Sequence, residues 1–146
     1  MSAPVSSPVV TTRPRPLLGA IVGAVVALVA NTVVFFVANA IHGGPIQAST
    51  DGTNPSDVQF VLVIVASVLP IIVGAGVLWL LARFTTSALG VWTIVAIVVT
   101  TLSLAAPTVL PVDGGSKIAL ALMHIAAASS AIFGQQWAAR RPSRKA

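Results

Sequence analysis

The chain has no cysteine at all, and only three of its 146 residues are acidic. Without cysteine there is no disulfide, no thiolate metal site and no thiol redox chemistry, which excludes membrane families built on a Cys pair. The three acids, Asp51, Asp57 and Asp113, all fall between the long apolar stretches and none inside them. An intramembrane aspartyl enzyme needs two acids within its helices, and a serine hydrolase needs a base oriented by an acid. Neither set is available. Charge of either sign is scarce too: 8% of residues are Asp, Glu, Lys or Arg, against about 25% in a soluble domain.

What fills the chain instead is apolar: 56% of residues are hydrophobic and the mean hydropathy is +0.98. These residues come in blocks rather than in amphipathic stripes. The blocks run over 17–41, 58–82, 88–106 and 118–139, and none contains Asp, Glu, Lys or Arg. Each approaches or exceeds the roughly 20 residues needed to cross a ~30 Å hydrocarbon core. Four spanning helices follow, in one bundle, with no room for a separate soluble domain.

The breaks between blocks carry turn and capping chemistry. Pro14 and Pro16 end a Pro/Ser/Thr-rich tail expected to be disordered. His42-Gly43-Gly44-Pro45 stops the first helix, and Asn54-Pro55-Ser56-Asp57 offers caps for the second. Thr85, Thr86 or Ser87 is placed to cap the third, Pro107 and Pro111 to break it, and Ser116 to cap the fourth. Ala38-Asn39-Ala40 resembles an A-x-A signal-peptidase site, and cleavage there would leave three helices in the same orientation. The preceding block is longer than the usual signal h-region of roughly 7–15 residues, so it is read as a retained helix.

Basic residues set the orientation. Arg13, Arg15, Arg83, Arg140, Arg141, Arg144 and Lys145 fall on one side of the bundle and Lys117 alone on the other, seven of the eight Lys and Arg against one. All three acids share the side of Lys117. Both termini are therefore expected in the cytoplasm. A net charge of +5 does not point to nucleic acid, because the charges sit at helix ends and tails with no basic stripe or interleaved aromatics. The basic C-terminal tail is suited to touching anionic headgroups.

Polar residues inside spans are costly and so informative. Counted from the outer helix ends at ~1.5 Å per residue, Asn31 and Ser67 lie roughly 15 and 14 Å deep, and Thr100 and His124 roughly 9 Å. One polar side chain per helix at a similar level forms an expected interior polar layer. Its leading role is hydrogen bonding between helices; a layer binding a polar ligand, proton or ion is the alternative. His124 is the sharpest candidate, since an imidazole titrates near neutral pH, and it is expected to face inward and meet Asn31, Ser67 or Thr100. The only other histidine, His42, could be joined by Asp51 and Asp57 at the surface, but no metal-ligand spacing supports a site.

Small residues suggest close helix packing. Gly19 and Gly23 form a GxxxG in the first span, Gly74-Ala75-Gly76 lies in the second, and Ala127 and Ala131 continue the theme in the fourth. Pro70 should free the carbonyl of Ala66, with Ser67 beside it. Trp79, Trp92 and Trp137 all fall toward cytoplasmic ends, as interfacial anchors do.

With Asn31, Leu69-Pro70, Trp92-Thr93 and Leu120-Ala121-Leu122-Met123-His124 in order across the four blocks, the chain resembles a family of small four-helix actinobacterial membrane proteins with no assigned function. The resemblance covers roughly residues 17 to 139. It implies a membrane location and no catalytic residue.

The resulting reading is an all-α, membrane-spanning four-helix bundle over residues 17–139, between a disordered cytoplasmic tail (1–16) and a basic cytoplasmic tail (140–146). It is expected to be a multi-pass protein of the cell membrane, non-enzymatic, without metal or cofactor, and structural or interaction-forming in role. Its expected partners are the lipid bilayer and itself or other membrane proteins, not nucleic acid. The alternative is a small carrier or channel subunit using the polar layer around Asn31 and His124.

Overall fold

The computed structural model describes residues 15–49 and 51–141. The two expected tails therefore lie almost wholly outside the described residues, with Arg13, Arg144 and Lys145 among them. Helix α1 runs over Pro16–His42 and α2 over Phe60–Phe84. Helix α3 covers Ala88–Ser103, the short α4 Ala105–Val109, and α5 Gly114–Arg140. Among the described residues four helical segments are long and apolar enough to cross a membrane: Pro16–His42, Phe60–Phe84, Ala88–Val109 (α3 with α4) and Gly114–Arg140. The fold is all-α among the described residues apart from one small hairpin, in which β1 (Gln47–Ala48) pairs antiparallel with β2 (Ser56–Asp57). The helices alternate in direction, so the hairpin and the start of α5 lie at one end, the hairpin end. The α2–α3 turn and the ends of α1 and α5 that carry Arg15 and Arg140 lie at the other, the turn end.

The closest pairing is α1 against α5, and its cause is the absence of side chains. A Cβ on Gly134 would collide with the backbone of Gly19 and Gly23, and one on Gly23 would come within 3.0 Å of the Ser130 carbonyl. The GxxxG of the first span thus meets a small-residue surface on α5, within one chain, and backbones approach as far as glycine permits. Ala20, Ala24 and Ala27 of α1, Ile71 and Ala75 of α2, and Ala131 of α5 extend this seam toward α2. Next to Gly19, the buried Gln135 donates from Nε2 to the Pro16 carbonyl at 3.1 Å.

At the hairpin end the loop folds back over the helices. Ile46 is fully buried against Phe35, Val63, Ala119 and Met123. Its N–H donates to Asn39 Oδ1 at 2.8 Å and its carbonyl accepts from Val58 N at 2.9 Å. Ser116 Oγ accepts from Gln47 N at 2.9 Å, which ties the hairpin to α5. His42 Nε2 and Asp113 Oδ1, 2.9 Å apart, join the ends of α1 and α5.

Several local expectations change. The cap of α5 is Asp113, whose side chain accepts from Ser116 N; Ser116 already lies inside the helix, because the Gly-Gly pair winds as its first turn. Helix α2 starts at an extended Gln59 with no side-chain cap, and Ser56–Asp57 pairs as a strand instead of capping. Ser87 stands at the N-cap of α3 without a side-chain cap bond, and its N–H donates to Thr85 Oγ1 at 3.2 Å. Helix α3 breaks at Leu104, ahead of both prolines, and Pro107 is buried within α4. The end of α1 is as read: Gly43 takes φ +74 and donates to the Asn39 carbonyl, a left-handed stop that glycine adopts without strain.

Helix α3 is buried only near its start, and its far end is tied to α5 through α4, where Lys117 Nζ donates to the Thr108 carbonyl at 3.1 Å. Ala88 and Trp92 are its buried residues, packed with Leu78 of α2 and flanked by Ala131 and Ile132 of α5. Trp92 is therefore no interfacial anchor. Its ring is buried, and its Nε1–H donates to the Gly74 carbonyl at 2.7 Å, which satisfies the indole in a medium with no water. Trp79 and Trp137 do lie near the turn end, each under a guanidinium: Arg83 at 3.8 Å from the Trp79 ring and Arg141 at 4.1 Å from that of Trp137.

Candidate functional site: a cleft between three helices

Because α3 is buried against its neighbours only through its first turns, it leaves a cleft against α2 and α5 over the remainder of its length. The cleft has a volume of about 630 Å³, within the range of roughly 300–1,000 Å³ usual for small-molecule sites. Trp92 and Gly74 lie toward its turn end and Leu62 and Val58 toward its hairpin end. Its lining is predominantly aliphatic and includes Ala127 and Ala128, whose short side chains leave the space open.

Three of the four residues expected to form a polar layer line this cleft: Asn31, Thr100 and His124. The fourth, Ser67, is fully buried behind it. Asn31 Nδ2 donates to Ser67 Oγ at 2.8 Å, and Ser67 Oγ donates to the Val63 carbonyl at 2.6 Å. The hydroxyl has a single proton, and Val63 takes it, so Ser67 can only accept from Asn31. This fixes the orientation of the amide: nitrogen toward Ser67, oxygen away. Asn31 Oδ1 is buried and has no hydrogen-bond partner among the described residues. Ser67 thus serves Val63 and Asn31 and not the Ala66 carbonyl beside it.

Thr100 and His124 are not bonded to that pair. Thr100 Oγ1 donates to the Ala96 carbonyl at 2.7 Å, and His124 Nδ1 lies 2.8 Å from the Leu120 carbonyl, both within their own helices. The cross-helix partner expected for His124 is absent among the described residues; its ring lies at the edge of the cleft, exposed. Ser103, which also lines the cleft, donates to the Thr100 carbonyl at 2.8 Å. Sequence reasoning passed over Ser103, the inward role of Trp92 and the buried Gln135. A large polar side chain opposite a GxxxG was the available signal for the last.

No acid lines the cleft, and among the described residues no group of three His, Cys, Asp or Glu is placed to hold a metal ion. Asp51 is committed to its own loop. The backbone N–H groups of Asn54 and Thr53, followed by the side chains of Asn54 and Ser49, hold its carboxyl well below the usual range. Asp113 is lowered likewise, first by the Ser116 side chain and N–H and then by His42. Both carboxylates are structural.

The chain matches a family of unknown function, DUF6069, over residues 11–141. No curated protein and no solved structure matches it.

Proposed function

The chain belongs to DUF6069, and we propose that this member is a non-enzymatic binding protein of the cell membrane that takes an apolar molecule laterally from the bilayer into the cleft between α2, α3 and α5. The observation that carries this reading is the cleft itself. About 630 Å³ of mostly aliphatic space stands within helices long and apolar enough to cross a membrane. A void of that kind is unstable unless filled, since its lining forfeits dispersion contacts on one side. In a bilayer the available filler is an acyl chain or another apolar molecule. Catalysis has little support: His124 is bonded to a carbonyl of its own helix, and no carboxylate is present in the cleft to orient it. Ion conduction has little support either, because the lining holds no Asp, Glu, Lys or Arg and the Asn31–Ser67 pair is closed upon itself.

The test is to fill the space. Ala128→Trp places a large ring in the cleft at a position that is not tightly buried. In native mass spectrometry of protein released from membranes, the wild type should carry a bound apolar molecule. The variant, folded by thermal unfolding and gel filtration, should have lost it. Retention of the same bound mass by a folded Ala128→Trp protein would overturn the assignment.

A further inference from the structure

We infer that the molecule taken up by the cleft is a neutral, hydroxyl-bearing apolar compound, a long-chain or polycyclic alcohol, and not a fatty acid, an amine or a bare hydrocarbon. This rests on the proposed binding role and adds the chemical class of the ligand. The argument is a census of protons. Each hydroxyl, indole and imidazole proton fixed on the lining already points to a carbonyl of the protein. Trp92 Nε1–H goes to Gly74, Thr100 Oγ1–H to Ala96, Ser103 Oγ–H to Thr100 and His124 Nδ1–H to Leu120.

What stays open on the wall is lone pairs. Thr100 and Ser103 retain them on oxygen. Pro70, lacking an N–H, leaves the Ala66 carbonyl without its helical donor, and both residues line the cleft. Acceptors without donors match a ligand that donates a hydrogen bond. Charge then selects among donors. A protonated amine would enter a low-dielectric cleft holding no carboxylate, and its charge would be uncompensated. At the Thr100, Ser103 and Ala66 oxygens an ionised carboxylic acid would find acceptors and no donor. A hydroxyl supplies the missing proton without a charge.

The experiment uses the full chain in lipid nanodiscs, a long-chain alcohol carrying a diazirine as photoprobe, and four competitors of equal chain length: the alcohol, its methyl ether, the carboxylic acid and the amine. The alcohol should compete about tenfold better than the ether, the increment expected of one neutral hydrogen bond in a dry site. The acid and amine should compete no better than the ether. Thr100→Val with Ser103→Ala, which removes two acceptors but no cross-helix bond, should shrink the alcohol-to-ether ratio measured on the same variant, and an unchanged ratio would overturn the hydroxyl inference. Ala128→Trp should abolish labelling, and the smaller Ala128→Leu should reduce it. If alcohol and ether compete equally while Ala128→Trp still abolishes labelling, the hydroxyl inference is overturned and the cleft remains the binding site. If labelling survives in a folded Ala128→Trp protein, the binding role falls, and the inference with it.

Discussion

At the scale of single residues, the strongest interactions here are those that remove a polar group or a side chain from an unfavourable place. Asn31 and Ser67 are both buried and bonded across α1 and α2. Ser67→Ala would strand the Asn31 amide, at a cost of about 1–2 kcal/mol. Asn31→Leu removes the stranded donor together with the unpartnered Oδ1, and should cost less. The double variant should therefore be more stable than the sum of the singles predicts, in a double-mutant cycle read by unfolding in bicelles. Strict additivity would show that the two side chains are not coupled. His124→Leu, by contrast, breaks no bond to another helix and should change stability by less than about 0.5 kcal/mol. Glycine positions divide in the same way. Gly134→Ala drives a methyl into the backbone of α1, and about 1–3 kcal/mol of overpacking is expected. Gly76→Ala meets nothing within 4 Å and should be neutral or slightly stabilising. Equal stabilities of these two variants by thermal unfolding would contradict the packing described for the α1–α5 seam.

At the scale of elements, the four span-length segments were legible in the sequence, because length and freedom from charge are enough to mark them. Which face of each turns inward was not legible. Spans that are apolar all round carry no periodic stripe, so periodicity cannot distinguish lipid from neighbouring helix. The α1–α5 seam could be anticipated from Gly19 and Gly23, since small residues leave a mark on the sequence. The retreat of α3 could not, because it follows from where its contacts stop. Capping residues were misplaced for a related reason: Asp113, Ser116 and the two glycines all favour a helix start, and only Gln47, reaching Ser116 from the hairpin, selects among them. The start of α5 also makes a prediction about pH. Asp113 and Asp51 are held below the ordinary aspartate value of 3.8 by bonds made in the fold. Their contribution is complete above that value and declines as the pH falls through it toward the lower folded values. The melting temperature should drop on acidification below 3.8, and less so in Asp113→Asn, which retains a capping oxygen but does not titrate. An acid limb unchanged by Asp113→Asn would exclude Asp113 as its source.

At the scale of the whole molecule, the cleft has meaning only if the helices cross a bilayer, so that lipid and not water borders it. The arrangement separates two chemically different ends. One holds the hairpin, His42 and Asp113, and the other holds Arg83 beside Trp79 and Arg141 beside Trp137. For helices that cross a membrane, that distribution, with basic groups gathered at the turn end, leads the positive-inside rule to predict a cytoplasmic turn end. The chain has no cysteine of its own, so a single introduced thiol reports one position without background. Thr53, in the hairpin loop, and Ser87, at the α2–α3 turn, are both exposed. In intact cells a membrane-impermeant maleimide should label Thr53→Cys and spare Ser87→Cys, which should react only once the membrane is opened. Equal labelling of both in intact cells would put the hairpin and the turn on one side of the membrane, and labelling of Ser87→Cys alone would invert the orientation; either result would contradict the crossing arrangement proposed here.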